Sequence, residues 1–103
     1  METTLLGLAM PSVLPPLKEM LHRRGFLVQT MPTANPVLLA YKKGSWLRSA
    51  RQLIIEISSI EKNLTRIDIT AIITGQKNSK HTEEIIEETF ATVIYKYFKK
   101  VIQ

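Results

Sequence analysis

The sequence predicts an α+β domain: a four-stranded antiparallel sheet with an N-terminal helix and a long C-terminal helix packed on one face, in the order α-β-β-β-β-α. Three observations carry this. Residues Gln52 to Thr74 place apolar side chains two apart on either side of Asn63, the period of a half-buried strand. Residues 82–102 place them three and four apart, the period of a helix with one buried stripe. Prolines and glycines divide the remainder into short segments.

The central stretch reads as a hairpin. Leu53, Ile55 and Ile57 stand on one face of its first arm, and Ile67, Ile69, Ala71 and Ile73 on the matching face of the second. Between them Glu61-Lys62-Asn63 fits a three-residue loop, since asparagine readily takes the left-handed conformation. Pairing Ile60 with Leu64 sets Ile57 opposite Ile67, Ile55 opposite Ile69, and Glu56 opposite Asp68 on the outer face. Like charges across a sheet repel mildly unless a cation joins them, and Arg66 lies diagonally close enough to do so. A shift by two residues would set Glu56 against Arg66 instead. Either way these carboxylates read as a solvated outer face, not as a catalytic pair.

Residues 1–12 form an apolar arm ahead of a single α+β domain at 13–103. Met1 to Pro11 carries Glu2 and no Lys or Arg, so it lacks the basic start of a signal peptide, and it is too short to cross a bilayer. It is expected to cover one edge or end of the core, with docking on a partner or a membrane surface as the alternative. Pro15-Pro16 suit the start of a helix that runs to about Arg24, buries Leu14, Leu17, Met20 and Leu21, and ends at Gly25. Phe26–Met31 and Val37–Lys43 read as strands separated by the loop Pro32–Pro36, with Val37, Leu39 and Tyr41 on one face of the second. Gly75–His81 is a polar linker. Thr82 then caps a helix with Glu83, Glu84, Glu87 and Glu88 in its first two turns and Lys96, Lys99 and Lys100 in its last, the charge order that the helix dipole favours. Its stripe is Ile86, Phe90, Val93, Ile94, Tyr97 and Val101.

The chain holds 45% hydrophobic and 22% charged residues, the balance of an ordinary globular domain. It has no cysteine, which excludes disulfides, thiolate chemistry and Cys-ligated zinc. Asn63-Leu64-Thr65 matches a glycosylation acceptor, but without a secretory signal a cytoplasmic address is the default. There is no glycine-rich phosphate loop and no nucleophile elbow. His81 with Glu84 has a spacing that suits a metal, yet a site needs three or four ligands, and helix capping accounts for both residues. No cofactor and no enzymatic activity are expected.

The net charge of +5 favours acidic partners. Its densest expression is Lys42-Lys43-Gly44-Ser45-Trp46-Leu47-Arg48-Ser49-Ala50-Arg51, where four cations flank the single tryptophan. Lys42, Lys43, Trp46, Arg48 and Arg51 are therefore the candidate binding residues: the cations to neutralise phosphates, the ring to stack on a base. The same composition suits an anionic bilayer surface. It equally suits a soluble hairpin connection whose Trp46 and Leu47 fold onto the core.

In element order over residues 13–102 the chain resembles small helix, four-strand, helix domains of uncharacterised bacterial proteins and lipoproteins, and more distantly the saddle-like halves of TATA-binding-protein-like folds. A long helix over an antiparallel sheet is also similar to START-type helix-grip folds, which implies an apolar-ligand carrier as one reading. The leading expectation is a non-catalytic binding or assembly module that contacts a protein partner or a second copy of itself through residues 42–51 and the outer sheet face. Nucleic-acid binding by the same basic segment is the alternative.

Overall fold

In the computed structural model, which describes residues 1–31, 33–42, 51–73 and 80–102, the chain runs β1 (Glu2–Leu6), α1 (Met10–Arg23), β2 (Leu27–Met31), β3 (Val37–Lys42), β4 (Arg51–Glu61), β5 (Leu64–Ile73) and α2 (Lys80–Ile102). The sheet is antiparallel and has five strands, not four, in the order β1-β5-β4-β3-β2. The additional strand comes from the N-terminal arm. Glu2 pairs with Ile69 and Leu6 with Thr65, so the arm's five residues complete one edge of the sheet. A strand this short shows too few alternations to be read from sequence, and its partner lies some sixty residues away along the chain.

The hairpin register places Ile57 opposite Ile67, Ile55 opposite Ile69 and Glu56 opposite Asp68. Closer to the turn a bulge falls between Ser59 and Glu61, and Glu61 pairs with Leu64. Ile60 is thus the extra residue of the bulge rather than the partner of Leu64, and it is 50% exposed. The loop shortens to Lys62-Asn63.

Leu53, Ile55, Ile57, Ile67, Ile69 and Ala71 are buried and form one cluster with Leu38 and Ala40 of β3 and Leu6 of β1. On β3 the buried face is therefore that of Leu38 and Ala40, and Val37, Leu39 and Tyr41 point the other way. The same cluster takes Val13, Leu17, Met20 and Leu21 from α1 and Ile94 and Phe98 from α2. Phe98, absent from the expected stripe, is completely buried.

Helix α1 begins at Met10, a turn and a half before the expected start, with Pro11 in its first turn and Pro15-Pro16 inside it. An internal proline removes a helical hydrogen bond and costs about 3 kcal/mol. Here the two missing N–H groups face carbonyls of the first turn, and the fully buried Val13 lies ahead of both prolines, so packing holds the helix through them. At its other end the Gly25 N–H donates to the His22 carbonyl at 3.0 Å and the Phe26 N–H to the Leu21 carbonyl at 3.0 Å. This is the paired closure of a Schellman cap, with Gly25 at φ +89°.

Helix α2 begins at Lys80 rather than after a Thr82 cap. Two of its early glutamates are not simply solvated partners of the helix dipole. Glu87 is 4% exposed and accepts the Ala71 N–H at 2.8 Å, and Glu83 accepts the Ile73 N–H at 2.9 Å.

Candidate functional site

Because the core lies on one face of the sheet, alternation turns the other set of side chains outward. The register fixes which of them are neighbours. Leu27 stands beside Tyr41, Met31 beside Val37, and Leu39 beside Ile54. Leu27 is 68%, Tyr41 41% and Met31 40% exposed, while Val37, Leu39 and Ile54 are partly exposed between them. No described element covers this patch.

Toward β1 the same face turns polar. Thr3 Oγ1 donates to Asp68 Oδ1 at 2.6 Å, and Arg66 Nε donates to the same oxygen at 3.0 Å. Arg66 therefore compensates Asp68 from two positions away on its own strand and makes no ion pair with Glu56. The outer face thus divides into a charged half over β5 and β1 and an apolar half over β2, β3 and part of β4.

Strand β2 closes the sheet on the apolar side. Its five residues, Leu-Val-Gln-Thr-Met, carry no charge. An edge strand presents unpaired backbone N–H and C=O groups, and proteins usually protect such edges with charge, proline or a bulge. None of these devices falls within β2.

Of the sequence-predicted binding residues, Lys42 is exposed at the end of β3, its Nζ 5.7 Å from the centroid of the buried Phe26 ring. A cation at that distance over an aromatic face is attracted to it. Arg51 opens β4 and pairs with Lys42 across the strands, which brings these two positions together. Lys43, Trp46 and Arg48 lie outside the described residues. The apolar half of the outer face could have been found from the sequence through Leu27, Met31 and Tyr41, had the inward face of β3 been assigned to Leu38 and Ala40.

Two concavities border the described residues. One, of about 330 Å³, lies between β1 and α2 near Tyr95. The other, of about 460 Å³, lies against α1 and β2 near His22 and Val28. Both are surface grooves, outside the buried cluster between helices and sheet. No group of three metal-ligating side chains comes together among the described residues. No helix among the described residues is long and apolar enough to cross a membrane. No protein-family model, curated protein or solved structure matches this chain.

Proposed function

We propose that this chain is a non-catalytic assembly module, and that the surface it uses is the apolar half of the outer sheet face together with the edge of β2. A second copy of the chain is the partner this surface fits best. The supporting observation is the placement of Leu27 and Met31 at the two ends of an uncharged edge strand, 68% and 40% exposed. Two β2 strands pairing antiparallel about Gln29 would set each Leu27 opposite the Met31 of the other copy. Such a contact is its own complement, as a twofold interface requires. It would join the two sheets edge to edge and bring the two outer apolar patches side by side.

Sedimentation velocity from nanomolar to submillimolar concentration tests the proposal. A monomer–dimer equilibrium that disappears in a Leu27→Lys, Met31→Lys variant is the expected result, since unpaired ammonium groups at an interface are costly to desolvate. A chain that stays monomeric throughout contradicts it. If that monomer instead binds a single-stranded oligonucleotide, with affinity falling steeply as salt rises and lost in Lys43→Glu with Arg48→Glu, the basic connection is the working surface.

A further inference from the structure

The opposite edge of the sheet carries an inference independent of the β2 contact. The groove of about 330 Å³ beside β1 is lined by Thr3, Thr4, Thr92, Tyr95, Lys96 and Lys99. Consecutive strand residues point to opposite faces of a sheet, so a cavity that touches both Thr3 and Thr4 must run along the edge of β1. That strand ends the sheet and is bonded only to β5. Its remaining backbone N–H and C=O groups therefore face the groove, spaced as another strand would meet them.

The far wall belongs to α2. Tyr95 is 48% exposed, and Lys96 and Lys99 are exposed beside it. Lys99 Nζ stands 6.0 Å from the Tyr95 ring centroid. Among the described residues neither ammonium has a carboxylate within ion-pair distance. The acidic residues of α2 lie in its first turns, so the groove end lined by Lys96 and Lys99 is positive.

We propose that this groove receives an extended acidic segment of a partner protein, which adds to β1 as a further strand and places the carboxylates of one face over Lys96 and Lys99. In strand addition the main-chain bonds supply affinity and the flanking side chains supply selectivity. The strand spacing of the edge fits a peptide better than a sugar–phosphate chain, and two cations neutralise few phosphates.

The test uses a hexapeptide alternating valine with glutamate, its twin with lysine in place of glutamate, and a third form N-methylated at alternate peptide bonds, each titrated at millimolar concentration into the 103-residue chain with amide shifts read by NMR. The glutamate peptide is expected to shift amides of β1 and of α2 around Tyr95 and Lys99. Lys96→Glu with Lys99→Glu, both on the surface, should weaken it about tenfold, and a retained amide spectrum verifies that this variant folds. The lysine twin should not bind, and N-methylation should abolish binding. Absence of shifts, shifts confined to β2, or equal binding of the lysine twin overturns the proposal. Equal binding of the N-methylated form overturns strand addition in particular. Because β2 takes no part, neither result bears on self-association.

Discussion

The carboxylate of Glu87 accepts the Ala71 N–H at 2.8 Å, at the point where β5 runs past its neighbour. The β1–β5 ladder ends at Glu2 and Ile69, which leaves the Ala71 and Ile73 N–H groups without a strand on that side. Glu83 meets the second of them at 2.9 Å. The match is geometric: four residues of helix rise about 6 Å and two residues of strand about 6.6 Å, so glutamates four apart on α2 meet amides two apart on β5. The other Glu87 oxygen accepts the Met1 ammonium at 2.8 Å, so one buried carboxylate ties the helix to two strands.

Glu87→Ala orphans a buried amide, so a loss of about 1–3 kcal/mol is expected. Glu87→Gln keeps one acceptor for Ala71 and should lose less. Urea unfolding followed by circular dichroism checks this, with a lowered midpoint and an unchanged slope as the expected result.

The Met1 ammonium is held above its ordinary value of 8.0, chiefly by its hydrogen bond to Glu87, against an opposing loss of hydration and with the charges of Glu87, Glu2 and Glu84 assisting. A folded-state value above the unfolded one stabilises below the unfolded value, and that stabilisation is lost as pH rises through the folded value. Stability should therefore decline as pH rises above 8.0. Thermal melts across that range should show the decline in the native chain and a flatter profile in Glu87→Gln or after acetylation of the amino terminus.

Gly25 sits at φ +89°, where an added Cβ would meet only Lys42 Cε at 3.8 Å. The obstacle to a side chain is therefore the backbone conformation, not space. Gly25→Ala should cost about 1–2 kcal/mol, and Gly25→Asn less, because asparagine tolerates this region. Equal denaturation midpoints for the three chains would contradict the left-handed cap.

Long alternating or helical runs were legible in the sequence, and elements defined by distant partners were not. Ile55, Ile57, Ile67 and Ile69 repeat often enough to fix both a face and a register. Glu2–Leu6 becomes a strand only because β5 is there to receive it. Pro15-Pro16 is a start signal on local rules, overridden here by the burial of Val13 two residues earlier. Glu83 and Glu87 satisfy the dipole rule and also bond to β5, and nothing local separates these two uses. The outer face was half legible, since its charged residues stood out and its apolar ones awaited the correct face of β3.

Ile67 and Ile60 test which face of the hairpin is buried. Ile67 is fully buried and Ile60 is 50% exposed. Ile67→Ala should cost about 2–5 kcal/mol, and Ile60→Ala about 0.5 kcal/mol or less. A hairpin with the opposite face turned to the core would reverse the two effects in urea denaturation.

Amide hydrogen exchange of β2 as a function of protein concentration tests self-assembly through this edge most directly. The amides of Leu27–Met31 that do not bond to β3 should exchange rapidly in dilute solution, gain protection as the chain is concentrated, and lose that gain in the Leu27→Lys, Met31→Lys variant. Protection of those amides that is independent of concentration, or a gain confined to other strands, would contradict it.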